Sequence, residues 1–457
     1  MRHLRWKETT MQRPSRQKFA MDRILMHAVA AAALPLLAGC GVTMTTAVAP
    51  GTTSPAAAVT CTGRVMGGQQ PVSGASVYLV AAAAYGSYGG PSNPATYAST
   101  STDSTGHFSL TSSLNCQANL PMYLLVLSGD AGGGTNGNLA EMAALGLCDS
   151  LTSNSNIQVN ELTTVASVYA LAQFFNGSPY IATTENNYPG LMQAFADVTQ
   201  LTDTTAGTIP GPALPAGATF PTTKLNTLAN IIAACVNSAG GTAGDHSICG
   251  NLFAAATPLG GRAPTDTVTA LANIAQNPAA NVPALFSVAT AQPFYQPSLT
   301  QAPSDWLLAV KYKPSGMSAP SAVATDGSGN VWVTNKGGNN IVELSHAGVL
   351  ETTVSSGFSA PSALALDLSG NVWVAQSGTN SMTHVLANGS SGTTVPSATG
   401  GLSLPSGIAI DPAGNLWIAD AGANTVTELN SSGAPVSANG YSGTGILKPL
   451  GITISPH

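Results

Sequence analysis

The sequence predicts a multidomain α+β protein with a small β-sandwich, a helical region and a partial β-propeller of about three blades. Three observations lead to this fold class. Only 7% of the 457 residues are charged, whereas 49 are glycine and 30 are proline, far from the roughly 25% charge of ordinary soluble domains. Residues 60–128 show strand-like alternation, and residues 129–305 show helical spacing. In residues 306–457, one segment then occurs three times.

The first 40 residues have the features of a secretory signal. Seven basic residues precede Ile24, the stretch Ile24–Leu37 is largely apolar, and small residues come directly before Cys40. A basic start, a short apolar segment and small residues at the cut are typical of such signals. The apolar stretch is shorter than the roughly 20 residues that span a membrane. The tetrapeptide LAGC that ends at Cys40 resembles the bacterial lipobox, whose cysteine is lipidated.

The lipobox resemblance implies a cellular location for the protein. It implies that residues 1–39 are a lipoprotein signal peptide and that Cys40 carries the lipid and becomes the new N-terminus. The expected location is the cell envelope, at the outer membrane, with the membrane as partner through Cys40. Residues 40–59 are rich in threonine, alanine and proline, and this composition predicts a flexible tether.

The acidic charge balance of the chain argues against nucleic acids as partners. From Cys40 onward the chain has seven basic and 18 acidic residues, a balance of −11. Binding to DNA or RNA depends on a basic patch that neutralises phosphates, so we expect no nucleic-acid partner. A protein or a carbohydrate remains the expected partner beside the membrane.

Five cysteines follow the lipobox, and an oxidising compartment favours disulfides between them. Cys235 and Cys249 flank a glycine-rich turn between two helix patterns, which predicts that they are bonded. A second bond is expected between Cys116 and Cys148, which leaves Cys61 unpaired. A bond from Cys61 to Cys116 across the sandwich is the alternative. Since no Cys-x-x-Cys or Cys/His cluster occurs, we predict no metal site at these cysteines.

Residues 60–128 contain the pattern of the small sandwich. Gly63–Val80 is typical of strand, turn and strand, and Asp103–Leu110 is typical of a tight turn that enters an alternating strand. Both segments resemble the carboxypeptidase-regulatory-like module, which is similar to transthyretin. The resemblance implies a β-sandwich that serves as a spacer or adhesion element.

A glycine-rich loop has the spacing of a dinucleotide-binding motif. Gly132–Gly137 matches G-x-G-x-x-G between the strand-like Leu120–Leu127 and an expected helix over Asn138–Leu147. The next segment, Asn160–Phe175, has helical spacing, so no second parallel strand follows as that fold requires. We interpret the loop as a connector and predict no cofactor.

The helical region covers residues 129–305. Asn160 is expected to cap a helix over Glu161–Phe175, and further helices are expected over Thr222–Ser238 and Thr265–Gln276. The region resembles an uncharacterised helical region of acidobacterial exported proteins. That resemblance implies no activity.

Residues 306–457 contain the repeats, and their period predicts propeller blades. The copies begin at Pro320, Pro361 and Pro405, and a fourth opens at Pro449. Their tryptophans, 41 and 44 residues apart, are Trp332, Trp373 and Trp417. This distance is the length of a four-stranded blade. The repeats resemble NHL-type repeats, in particular those of the streptogramin B lyase group.

Each repeat contains an Asp-x-x-Gly-Asn turn followed by its tryptophan. The aspartates are Asp326, Asp367 and Asp411. We expect each aspartate to bond the amides of its turn and each tryptophan to pack between blades. One carboxylate per turn is too few for a calcium site, since calcium takes six to eight oxygen ligands.

A polar position recurs eleven residues after each tryptophan. It is occupied by Glu343, His384 and Glu428. If these side chains shared a channel, they could hold a divalent metal or move a proton. The alternative, which we favour, is a half-exposed strand position without a catalytic or metal-binding role.

These observations predict a lipid-anchored envelope protein with a non-catalytic binding or scaffold role. The alternatives are a lyase-like or lactonase-like propeller enzyme and a truncated product without independent function. Closed propellers have at least four blades, so three repeats predict an open arc that self-associates when isolated as residues 306–457. Trp306–Tyr312 is expected to add one strand that pairs with Gly451–Ser455.

Overall fold

The computed structural model describes residues 58–82, 96–113, 120–151, 155–289, 293–396 and 399–455. They belong to one compact unit that begins at Pro55. This part of the chain is mostly β, with several antiparallel sheets and six α-helices. None of the helices there is long and apolar enough to cross a membrane. The predicted signal peptide, the tether and Cys40 lie outside the described residues.

Two sheets form the first part of the unit. One is antiparallel with the order β4-β3-β6-β7, and the other has the order β2-β1-β5, with β8 parallel to β1. The strands are β1 (Ala58–Gly67), β2 (Gln70–Pro71), β3 (Ser76–Ala81), β4 (Thr96–Ser101), β5 (His107–Ser113), β6 (Pro121–Leu127), β7 (Ala140–Leu147) and β8 (Ser155–Val159). The sheets share an apolar core that includes Val65, Val77, Met122 and the free cysteine Cys61. Burial raises the pKa of the Cys61 thiol.

The expected helix over Asn138–Leu147 is wrong, because this segment is the strand β7. It pairs antiparallel with β6 along its whole length. Ala140 and Met142 pack against the helices, whereas Ala143 packs between the two sheets. A short apolar run that is buried on both faces has no alternation, so its pattern does not distinguish strand from helix. With β8, the two-sheet part extends to Val159, beyond the expected boundary at residue 128.

The glycine-rich loop joins β6 and β7, which are antiparallel neighbours. The amides of Gly132 and Gly134 donate to Asp130 Oδ1 over 2.7 and 3.0 Å. The loop is thus closed by its own aspartate. It lacks the strand-to-helix context of a dinucleotide site.

Six helices pack on the outer face of the β4-β3-β6-β7 sheet and on each other. They are α1 (Glu161–Ala170), α2 (Tyr188–Leu201), α3 (Thr222–Val236), α4 (Ile248–Ala255), α5 (Thr267–Gln276) and α6 (Val282–Ala289). The cap at Asn160 is confirmed, since its side chain accepts from the Thr163 amide and the Thr163 hydroxyl accepts in return. Helix α1 ends at Ala170 because a 3-10 turn follows, and α5 begins at Thr267 because Asp266 caps it.

The disulfide between Cys235 and Cys249 is confirmed, and it ties the last turn of α3 to α4. Cys148 also takes part in a disulfide. Its expected partner, Cys116, lies outside the described residues, so this pairing stays a prediction.

The repeats form three consecutive meanders, which we call the first, second and third blade. Their orders are β12-β11-β10-β9, β13-β14-β15-β16 and β17-β18-β19. The strands are β9 (Pro320–Thr325), β10 (Val331–Asn335), β11 (Asn340–Leu344), β12 (Leu350–Val354), β13 (Pro361–Leu366), β14 (Val372–Gln376), β15 (Ser381–Val385), β16 (Ser391–Val395), β17 (Pro405–Ile410), β18 (Leu416–Asp420) and β19 (Thr425–Leu429). Single bridges from Pro435 and Tyr441 to β19 take the place of a fourth strand in the third blade.

Successive copies are joined by the same two hydrogen bonds. A serine hydroxyl donates to the carbonyl of the proline that opens the next copy, over 2.6 to 2.8 Å, in the pairs Ser321–Pro361, Ser362–Pro405 and Ser406–Pro449. An asparagine Oδ1 accepts from a backbone amide just before that proline, in the pairs Asn339–Ala360, Asn380–Leu404 and Asn424–Lys448. The opening of the fourth copy therefore docks on the third blade as the second and third copies dock on their predecessors.

The expected strand pair between Trp306–Tyr312 and Gly451–Ser455 does not form. Lys311 instead exchanges backbone hydrogen bonds with Thr219 of the helical region, over 2.8 and 3.0 Å. The Lys224 ammonium binds the Asp305 carboxylate and the Leu307 carbonyl, both at 3.0 Å. These bonds hold the segment before the first blade against the helices.

Candidate functional site

The aspartates of the repeats close their own turns. In the first blade, Asp326 Oδ1 accepts from the amides of Ser328 and Asn330, over 2.8 and 2.9 Å, and Oδ2 accepts from the Asn330 side chain. Asp367 and Asp411 have the same three bonds in their turns. Each carboxylate is thus occupied by donors of its own turn.

The repeat tryptophans occupy equivalent positions in their blades, but they are buried to different extents. Trp332 lies in the core shared by the first and second blades, and Trp373 lies in the core shared by the second and third. Trp417 is only half-buried. Its Nε1 donates to Asp411 Oδ2 at 3.1 Å, and the ring of Tyr441 stacks on it with the centroids 5.8 Å apart.

The polar column residues each pair across two strands with the tryptophan of their own blade. The pairs are Trp332–Glu343, Trp373–His384 and Trp417–Glu428. Glu343 Oε1 accepts from Asn330 Nδ2 at 3.2 Å, and burial, with the charge of Asp326, raises the pKa of Glu343. Glu428 Oε2 accepts from the Tyr441 hydroxyl at 2.6 Å.

His384 has the most distinctive surroundings of the three. Its ring stacks on Trp373 with the centroids 4.4 Å apart, and its Nε2 lies 4.0 Å from Asp367 Oδ2. The partners of Glu343, His384 and Glu428 all belong to their own blades, so the structure does not bring the column together. Within the described part of the chain, no three His, Cys, Asp or Glu side chains are placed to hold a metal ion.

A pocket that the sequence reasoning missed lies where the helical region meets the first blade. We call it the junction pocket; its volume is about 450 Å³, and its walls include Tyr169, Asp197, Gln200, Leu308, Tyr312 and His346. These residues come from α1, α2, the segment before the first blade and the turn after β11. Because they are up to 177 positions apart in the chain, no local pattern could indicate their proximity.

Two close contacts shape the junction pocket. The Tyr312 hydroxyl donates to Gln200 Oε1 at 2.6 Å, which links the segment before the first blade to α2. The Tyr312 ring lies against Gly348, where an added Cβ would come within 2.2 Å of the ring and where φ is +79°. Only glycine allows this approach, so Gly348 permits the first blade to pack closely against the Tyr312 ring.

A pair of buried carboxyl groups lies where the two-sheet part meets α1. Glu161 accepts from the Gly68 amide over 2.8 and 3.0 Å and from the Tyr295 hydroxyl at 2.5 Å. Both oxygens of Glu141 are buried without a hydrogen bond. Burial raises the pKa of Glu161 to about 7, and burial together with the Glu161 charge raises the pKa of Glu141 well above its ordinary value.

Comparisons with known proteins give only partial structural likenesses. No protein-family model matches the chain, and no curated protein matches it. A streptogramin B lyase structure is 20% identical with a TM-score of 0.27, over 31% of this chain and 47% of its own. A catalytically inactive virginiamycin B lyase from Staphylococcus aureus with quinupristin is 20% identical with a TM-score of 0.25, over 31% and 51%.

A nidogen/laminin complex is also similar, at 19% identity and a TM-score of 0.28, over 32% of this chain and 55% of its own. The chain thus spans about half the length of the solved structures that it matches. These neighbours are propeller-type proteins. The identification of the blades in this chain comes from its own strand pairing.

Proposed function

We propose that this chain is a lipid-anchored envelope protein that binds a partner through its propeller repeats and does not act as an enzyme. The lipid on Cys40 holds it at the membrane, and the tether carries the remaining chain away from the surface. The blades and the helical region then act as a scaffold for a protein, a carbohydrate or a smaller ligand.

One observation supports binding over catalysis. Glu343, His384 and Glu428 are each held by a neighbour in their own blade, with bonds such as that from Tyr441 to Glu428. Proton transfer or metal-assisted bond cleavage needs acid, base or ligand groups that converge within hydrogen-bond reach of one substrate. Three separate positions provide no such convergence.

The lyases among the structural neighbours suggest the sharpest test. We expect the full chain to leave a streptogramin B antibiotic intact in the presence of Mg²⁺, as followed by mass spectrometry of the ring-opened product. The His384→Ala variant should behave identically, and His246→Ala, in the loop between α3 and α4, is the matched control. Ring opening that His384→Ala abolishes and His246→Ala preserves would establish the enzyme instead.

The anchor is tested separately from the activity. We expect the mature N-terminal peptide to begin at Cys40, with a mass increased by lipid, because the LAGC motif resembles the lipobox. A Cys40→Ser variant should leave the membrane fraction, since it lacks the thiol that accepts the lipid. Mass spectrometry of the N-terminal peptide measures the lipid, and separation of the membrane and soluble fractions measures the effect of the variant. A Cys40 peptide that is unmodified and still joined to Gly39 contradicts the anchor.

A further inference from the structure

The junction pocket combines apolar walls with a few polar groups, as small-molecule sites typically do. Its volume of about 450 Å³ falls within the range of ligand sites. A larger and more open groove between α4 and α6, of about 640 Å³, has no ionisable side chain in its lining. The junction pocket therefore has the stronger case for a specific ligand.

The apolar part of the pocket comes from the helices and from the segment before the first blade. Its side chains are small or branched, and they include Ala172, Leu201, Ala275, Leu308 and Val310. None of these offers a hydrogen bond to a ligand. They suit an alkyl chain, because burial of each methylene is favourable.

The polar end is formed by Asp197 on α2 and His346 on the first blade. Asp197 is half-buried, and Gln193 Nε2 donates to its Oδ1 at 3.0 Å. Among the hydrogen bonds of the described residues, none reaches Asp197 Oδ2. Burial raises the pKa of Asp197, and the nearby His346 opposes this shift. An incoming hydrogen-bond donor can occupy the open oxygen.

The two tyrosine hydroxyls of the pocket already have partners. The Tyr169 hydroxyl donates to the Trp306 carbonyl at 3.0 Å, and the Tyr312 hydroxyl donates to Gln200. With both hydroxyl protons taken, the site offers an acceptor at Asp197, and Asp197 is the one carboxylate of the lining. The Asp197 carboxylate would repel an anionic head group, whereas an ammonium head group would neutralise it.

We propose that the junction pocket binds an amphiphile whose amine or ammonium head donates to Asp197 and whose alkyl chain lies along the apolar wall. This inference rests on the proposed binding function, for which it names the ligand class. Asp197 selects the head group, and small side chains such as Ala170 of α1 and Ala275 of α5 leave room for the chain.

The test uses octylamine, octanol and octanoate as probes, with calorimetry on the full chain at neutral pH. We expect octylamine to bind most tightly and octanoate to bind at least about tenfold more weakly, which is the worth of one charge-assisted hydrogen bond. Asp197→Asn should weaken octylamine about tenfold by the same bond and leave octanol unchanged. Asp203→Asn, in the turn after α2, is the matched control and should change neither.

A second variant tests the apolar wall. Ala275→Phe should fill the pocket and abolish binding of all three probes, and its circular dichroism checks that it folds. The ligand class would be overturned if octylamine and octanoate bound equally, or if Asp197→Asn left octylamine binding intact. Binding of octanol would then still show that the pocket takes an apolar ligand. Absence of binding by every probe would overturn the pocket itself. Turnover in the antibiotic assay would instead contradict the proposed function alone.

Discussion

Above neutral pH, the Glu141→Gln variant is expected to be more stable than the unchanged protein. Glu141 and Glu161 are fully buried, and the charge of Glu161 acts on Glu141. The Tyr295 hydroxyl donates to Glu161, and Asn230 on α3 is neutral and binds the backbone of Tyr295. Among the described residues, no cation forms an ion pair with either carboxyl group.

The direction of the pH effect follows from the raised pKa values. A carboxyl whose folded-state pKa is raised contributes stability that is complete below the unfolded pKa and is lost as pH rises through the folded value. For Glu161 this loss runs from its ordinary 4.5 to about 7, and for Glu141 it continues at higher pH. One pKa unit corresponds to about 1.4 kcal/mol, so the loss through Glu161 amounts to roughly 3 kcal/mol.

Glutamine cannot ionise, so the Glu141→Gln variant removes one of the two charges. We expect the fall in unfolding free energy between about pH 5 and pH 8 to shrink by roughly 2 kcal/mol or more, as measured by calorimetry across that range. The matched control is Glu351→Gln on the exposed outer strand of the first blade, which should keep the original slope. An unchanged slope in Glu141→Gln would show that the pair does not titrate in this range.

Removal of the disulfide between Cys235 and Cys249 is expected to have an effect of similar size. The bond closes a loop of 14 residues, and the chain-entropy model gives about 3 kcal/mol for a loop of that length. The Cys249 sulfur also contacts two neighbours, Asn136 Nδ2 at 3.8 Å and the Ser238 hydroxyl at 3.4 Å. The variant Cys235→Ala/Cys249→Ala should therefore loosen α3 and α4 together.

Hydrogen exchange of the amides of α3 and α4 measures this effect, because a chain of this length need not unfold in one step. The control Cys61→Ala removes a buried thiol that has no bond, and it should cost only about 1 kcal/mol, the usual effect of one substitution. If exchange in α3 and α4 is the same in the double variant and the unchanged protein, the disulfide does not stabilise these helices.

The tertiary structure changed the interpretation wherever a contact joined distant parts of the chain. The expected helix over Asn138–Leu147 is instead the strand β7, because β6 pairs with one edge and apolar residues cover both faces. The buried pair of Glu141 and Glu161 was not anticipated, since neither glutamate stands out in its own segment. The column of Glu343, His384 and Glu428 keeps its spacing, but spacing alone does not tell whether side chains meet.

Features that depend on neighbours within a few positions could be predicted from the sequence. The cap at Asn160 and the aspartate turns follow from hydrogen bonds inside one helix end or one repeat, and the period of the tryptophans follows from the repeat length. How the first blade meets the helices and where the junction pocket lies became apparent only from the folded chain. The reason is physical: turns and caps gain their hydrogen bonds locally, whereas a pocket depends on the burial of surfaces that are far apart along the chain.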